Sequence, residues 1–143
     1  MVLESLPQSR SKSILIYLAT LIGLLFTAFS HLDYAADGIW NITLPTLMDM
    51  FPIFFLFVAI FLLGIAVVVT FTSNLTGAKV AFVASILAWI YYILVVCAMA
   101  LAFSVAPFLT TRGILIFVIP VLLLVATTWY SRQIVTTLRK SSL

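Results

Sequence analysis

Three side chains near the end of the first apolar stretch have the chemistry of metal ligands. His31, Asp33 and Asp37 lie close together in the sequence, and in a helix the two aspartates would share one face at i, i+4. Carboxylate oxygens with one imidazole suit a hard or borderline divalent cation, and Asp49 would join them if the chain folded back. No metal-binding motif accompanies these residues. The simpler interpretation is therefore a hydrated acidic loop, and we predict no metal site, keeping the three as candidates.

Other chemistries lack the residues that they need. His31 is the only histidine and Cys97 the only cysteine, so one chain supplies neither a pair of axial haem ligands nor the cysteines of an iron–sulfur cluster. The single histidine has no nucleophile positioned beside it for a Ser-His-Asp arrangement. Ion-coupled carriers usually hold an Asp or Glu at membrane depth, and the interiors of the apolar stretches contain no carboxylate, Lys or Arg. We therefore predict a protein that is not an enzyme and has no cofactor beyond lipid contacts.

The elements that carry these residues are four long apolar stretches. The chain has 143 residues, 65% of them hydrophobic and only 8% charged, whereas soluble domains carry about 25% charged residues. A helix of roughly 20 apolar residues crosses a hydrocarbon layer about 30 Å thick. The prediction is an all-α, four-span transmembrane bundle that forms one integral membrane domain over residues 1–143. The predicted spans are about 13–31, 51–72, 80–108 and 113–131.

The basic residues predict how this bundle is oriented. With four spans, six of the seven fall on one side, and only Arg112 falls on the other, together with Asp33, Asp37 and Asp49. An excess of Lys and Arg in short loops marks the cytoplasmic side. Both termini are therefore predicted to be cytoplasmic, in the plasma or inner membrane of the cell. The basic residues form no stripe or groove, which argues against nucleic acid as a partner.

The segments between the spans have their own predicted structures. Residues 1–12 are expected to be an irregular or interfacial lead-in, and residues 31–49 an outer hairpin that ends where Pro52 starts span two. Thr43 is a candidate cap for a short helix beginning at Leu44. The polar turn at 72–79 predicts that spans two and three are antiparallel neighbours. Asn41 fits the N-glycosylation pattern, and whether it is modified stays open.

Two stripes of small residues, each at i, i+4, i+8, predict faces where another helix packs closely. The stripes are Ala19, Gly23 and Thr27 in span one, and Ala98, Ala102 and Ala106 in span three. Span three is also over-long, since the 30 uncharged residues from Val80 to Leu109 measure about 45 Å as a helix. Within it, the hydroxyls of Tyr91 and Tyr92 need acceptors at membrane depth. Thr20, Ser85 and a partner chain are the candidates.

These observations favour a non-catalytic accessory or structural subunit of a larger membrane complex, possibly one for energy conversion or transport. Its spans would pack against the helices of other integral membrane subunits within the lipid bilayer. Two alternatives stay open: a small self-associating carrier or channel for a neutral substrate, and a lattice-forming envelope protein. The sequence selects no particular complex.

Overall fold

In a computed structural model of the chain, the described backbone is helical apart from one short turn. The structure describes the backbone of residues 2–39, 44–102 and 114–141, and the side chains of residues 10–31, 51–97, 115 and 117–140. Helix α1 covers Val2–Ile39, α2 covers Leu44–Thr70 and α3 covers Asn74–Ala102. A π-helical segment, Ile114–Val118, leads into α4, Ile119–Ser141. An all-helical fold is what a lipid environment demands, because a helix satisfies its own backbone hydrogen bonds.

The helices pack side by side with alternating direction. In sequence order α1, α2, α3 and α4, each contacts the next, and α4 closes the bundle against α1. Hydrogen bonds from Ser13 to Asn74 and between Thr27 and Tyr92 set α1 parallel to α3. Thr20 contacts Thr127, whereas Gly23, one turn later in α1, lies against Pro120 and Leu123, so α4 runs in the opposite direction to α1. The most extensive interface joins α2 to α3, as the short polar turn between them predicts.

Several predicted boundaries are wrong. The lead-in expected over residues 1–12 is helical from Val2, since Pro7 removes only one hydrogen bond near the helix start. The outer hairpin expected over residues 31–49 is mostly helix, because α1 continues to Ile39 and α2 begins at Leu44. Pro52 lies inside α2 and does not start it. The start at Leu44 agrees with the predicted helix there, although Thr43 itself lies outside the described residues.

The turn between α2 and α3 is tight and capped. Ser73 precedes α3, and its hydroxyl accepts a hydrogen bond from the backbone N–H of Thr76 at 3.3 Å, the contact of a serine N-cap. Phe71 is the first residue after α2, and its carbonyl oxygen accepts a hydrogen bond from the Arg10 side chain of α1 at 3.2 Å. Gly77 is buried against Thr70. The start of α1 and the α2–α3 turn therefore meet at one end of the bundle.

Polarity is inverted relative to a soluble bundle. Large apolar side chains cover the outside of all the helices, among them Leu15, Phe61, Ile93 and Leu122. Serines, threonines and tyrosines are buried between the helices beside leucine and alanine. By length and composition α1, α2 and α3 can each cross a membrane. This is a membrane protein, and a fourth crossing by the π segment and α4 stays a prediction.

Candidate functional site: a polar seam inside the bundle

One face of α1 carries the polar groups of the bundle interior. Ser13, Thr20 and Thr27 recur every seven residues, a spacing that keeps side chains on one side of a helix, and each is at most 1% exposed. His31 continues the row one turn further on and is partly buried. We call these four residues and their hydrogen-bond partners on other helices the polar seam. The partners are Asn74, Thr127, Tyr92 and Tyr91.

At the first end of the seam, α1 is tied to the start of α3. The Ser13 hydroxyl donates to Oδ1 of Asn74 at 3.0 Å. One turn further on, the ring of Tyr17 is fully buried. Its hydroxyl lies near Ser13 and Tyr130 without a hydrogen bond of good geometry. This end of the seam therefore joins α1, α3 and α4.

In its middle, the seam joins α1 to α4. The Oγ1 atoms of Thr20 and Thr127 are 2.6 Å apart, and Thr20 Oγ1 also lies 2.9 Å from the carbonyl oxygen of Ile16. A hydroxyl carries one proton. When Thr20 donates to Ile16, Thr127 donates to Thr20. Both hydroxyls are then satisfied without water.

At the far end, the seam joins α1 to two tyrosines of α3. Tyr92 Oη lies 2.9 Å from Thr27 Oγ1, which is itself 3.1 Å from the carbonyl oxygen of Gly23. Tyr91 Oη lies 2.9 Å from Nδ1 of His31. The acceptors expected for these tyrosines, Thr20 and Ser85, are therefore wrong. Thr20 bonds toward α4, and the Ser85 hydroxyl donates to the carbonyl oxygen of Ala81 within its own helix.

The candidate metal ligands are only partly described. His31 directs Nδ1 to Tyr91, while the side chains of Asp33 and Asp37 lie outside the described residues. The backbone of α1 is helical through Ile39, so the i, i+4 spacing of the two aspartates falls within one helix. The described side chains contain no group of three potential metal ligands. The metal hypothesis for His31, Asp33 and Asp37 stays a prediction.

The small-residue stripe of α1 has neighbours within the chain. A Cβ added to Gly23 would meet Leu123 at 3.4 Å and Pro120 at 3.6 Å, and Thr27 bonds to Tyr92. Ala19 is half-buried. In the second stripe, Ala98 and Ala102 belong to the backbone of α3, and Ala106 lies outside the described residues. Packing of either stripe against another chain stays a prediction.

Sequence reasoning missed two features of this interior. The first is the seven-residue spacing of Ser13, Thr20 and Thr27. This spacing can be seen in the sequence when the positions of hydroxyl-bearing residues are considered apart from those of apolar residues. The second is a contact from Trp89 Nε1, which donates to Thr128 Oγ1 at 3.1 Å. That contact has no sequence signal, because its residues lie on different helices. The hydrogen bonds of Thr20 with Thr127 and of Trp89 with Thr128 connect α1 and α3 to α4.

The chemistry available to the polar seam is hydrogen bonding between helices. Its hydroxyls bond to one another, to a side-chain amide, to an imidazole and to backbone carbonyls. Such bonds contribute about 0.6 kcal/mol each on average in a membrane interior. The seam therefore fixes which helices meet and in which register. Comparison with protein-family models, curated proteins and solved structures finds no match to this chain.

Proposed function

We propose that this chain is a non-catalytic, structural subunit of a larger membrane assembly. The observation that carries the proposal is the inverted polarity of the bundle. The polar seam bonds within the chain, while large apolar side chains are exposed on every helix. A chain of this kind interacts with its surroundings through apolar packing. Its partners are the helices of other membrane subunits and the lipid around them.

The outer face of α2 is the best candidate for contact with a partner helix. Phe54, Phe57, Phe61 and Val68 lie on one side of this helix by their spacing, and each is exposed. We call these four residues the outer row of α2. Aromatic side chains bury a large area at little entropic cost and dominate many interfaces. The outer row is therefore where a neighbouring helix packs.

We propose that the chain crosses the plasma or inner membrane of the cell four times. Both termini then lie in the cytoplasm. Arg10 contacts the α2–α3 turn, and the contacts of α4 with α1 bring the C-terminal end of α4 to the same end of the bundle. This arrangement supports the proposal, because it gathers most basic residues at one end, as the positive-inside rule requires. Lys79 lies in the second turn of α3, at that end as well.

The test is purification of the tagged full chain in a gentle detergent, followed by native mass spectrometry. Foreign subunits at a fixed ratio would support the proposal. The double variant Phe54→Ala/Phe61→Ala should release them, whereas the control Phe26→Ala/Phe29→Ala, which changes two exposed phenylalanines of α1, should retain them. A monomer without partners would contradict the proposal, and homo-oligomers would favour the self-associating alternative.

A further inference from the structure

A groove of about 220 Å³ lies on the outer surface between α3 and α4. It is lined by Tyr92, Val96, Phe117, Val118, Val121 and Leu122. The hydroxyl of Tyr92 is engaged by Thr27 in the bundle interior. The groove thus presents a hydrocarbon surface to the membrane, and its size suits a chain of methylene groups.

The groove continues into a row of exposed side chains that begins at the end of the π-helical segment and runs along α4, which we call the stripe. Val118, Leu122, Val125, Trp129 and Arg132 follow one another at intervals of four, three, four and three residues, which places them on one face of the helix. All five are exposed, Leu122 to 63% and Trp129 to 65%. The stripe therefore begins with aliphatic side chains, continues with the amphipathic aromatic ring of Trp129 and ends with the cationic side chain of Arg132.

The cationic end of the stripe has a second member. Lys140 lies eleven residues, or three turns, beyond Trp129 and so on the same side of α4. Arg132 and Lys140 are both exposed, and neither forms an ion pair with a residue in the described part of the chain. With Arg139, which is exposed as well, three positive charges thus stand beyond the tryptophan, where a headgroup would carry negative charge.

The length of the stripe matches one leaflet of a bilayer. Ten residues separate Leu122 in the groove from Arg132, a rise of about 15 Å. The hydrocarbon core is about 30 Å thick, so one leaflet contributes roughly half of that. A lipid with its phosphate at Arg132 therefore reaches the groove with its acyl chain.

We propose that one anionic phospholipid binds along α4, with its headgroup on Arg132 and Lys140 and an acyl chain in the groove between α3 and α4. The Arg132 guanidinium matches phosphate oxygens with two parallel N–H donors. Trp129 lies at the level of the glycerol backbone, where amphipathic rings settle. The net negative headgroup distinguishes this ligand from zwitterionic lipids, because Arg132 and Lys140 would repel the cationic group of a zwitterionic headgroup. The site requires no partner subunit and is independent of the proposed assembly.

The test compares phosphatidylglycerol with phosphatidylcholine of the same acyl chains. Each is titrated onto the delipidated full chain in detergent, and bound lipid is counted by native mass spectrometry. Phosphatidylglycerol should bind more tightly. Arg132→Gln and Lys140→Gln should each weaken its binding about fivefold, with little change for phosphatidylcholine.

Lys79→Gln is the matched control for charge. Lys79 is exposed near the same end of the bundle, but it lies thirteen residues before Tyr92 and so faces about 140° away from that groove residue. Its loss should leave phosphatidylglycerol binding unchanged. If Lys79→Gln weakens binding as much as Arg132→Gln, the attraction is diffuse and the proposal fails.

A second pair of variants tests the acyl chain. Leu122→Trp fills the groove and should weaken binding of both lipids severalfold, whereas Val68→Trp on the outer row of α2 should not. Thermal unfolding in detergent checks that each variant is folded. Equal affinity of the unmodified chain for the two lipids would overturn the proposal. Equally strong binding of glycerol phosphate, which has no acyl chain, would also overturn it.

Discussion

At the scale of single residues, the interior combines polar bonds with very close packing. Ser13, Thr20 and Thr27 of α1 face inward and each bonds to another helix, so each hydroxyl is both buried and satisfied. Elsewhere the helices approach one another through alanine and glycine, as at Ala66, Ala81 and Ala88, which are fully buried. Small residues permit this approach because helices in lipid associate by van der Waals contact. A single added methyl group therefore has a large effect at the closest point.

Among Gly23, Gly64 and Gly77, Gly77 leaves the least room for an added Cβ. An added Cβ would overlap Thr70 Oγ1 and would lie 3.0 Å from the Cα of Thr70. Since the backbone of α2 cannot move without separating the two helices, Gly77→Ala should lower the free energy of unfolding by about 1–3 kcal/mol. Unfolding by a denaturing detergent in mixed micelles measures this change.

Gly64→Ala is the control for the same change in residue type. A Cβ at Gly64 meets nothing within 4 Å, and alanine has the higher helix propensity. Stability should therefore stay the same or rise slightly. Equal losses for the two variants would show that steric overlap at Thr70 is not the cause.

At the scale of elements, the polar seam decides how α1 sits against its neighbours. Its middle bonds to α4 and its ends bond to α3, so α1 is held in register with both of these helices. Before α4 begins, five residues are π-helical, and the change to α-helix at Ile119 comes directly before Pro120. Proline lacks the N–H that a regular helix would use there. The local change in winding therefore coincides with a residue that cannot donate to a regular helix.

The link between α1 and α3 can be measured with a double-mutant cycle. Thr27→Val and Tyr92→Phe each remove one partner of the 2.9 Å contact with little change in volume. We expect a coupling energy of about 0.6 kcal/mol, and not more than about 1.7 kcal/mol. The pair Thr72→Val and Tyr92→Phe serves as a control, because Thr72 bonds only to the carbonyl oxygen of Val69 in the nearby turn. Additive effects of Thr27→Val and Tyr92→Phe would argue against the contact.

At the scale of the whole molecule, inverted polarity and charge placement together describe a chain built for lipid. The apolar exterior would be unstable in water, where large exposed apolar patches cause aggregation. The basic residues at one end of the bundle then favour one orientation in the membrane. The proposed structural role and the proposed lipid site both use this exterior and leave the interior closed.

The proposed orientation can be tested with single cysteines in a Cys97→Ser background. Lys12→Cys and Thr137→Cys lie near the basic end and should react with a membrane-impermeant maleimide only after the cells are permeabilised. Asn41→Cys, on the predicted outer side, should react in intact cells. Labelling of position 12 or 137 in intact cells would reverse the orientation. Labelling of those two positions from opposite sides would mean an odd number of crossings.

The sequence alone determined the class of the protein. Sparse charge and long apolar stretches predict helices in a membrane, and the structure confirms an all-helical chain in which α1, α2 and α3 can span. The reason is physical: in lipid a backbone must satisfy its own hydrogen bonds, so an apolar run of sufficient length has one stable form. Helix ends were harder to predict. The polar segment around Pro7 predicts an irregular lead-in and Pro52 predicts the start of a helix, yet Pro7 lies within α1 and Pro52 within α2.

Only the tertiary structure decided which residues face inward and which hydroxyls pair. In water the apolar side of a helix turns toward the core, so its periodicity identifies the buried face. These helices are apolar on nearly all sides, and that signal is lost. The direction in which Thr20 or Tyr92 points depends on the rotation of each helix, which contacts between helices determine, such as that of Gly23 in α1 with Pro120 and Leu123 in α4. A partner for a buried hydroxyl lies on another helix, and spacing along one helix contains no record of it.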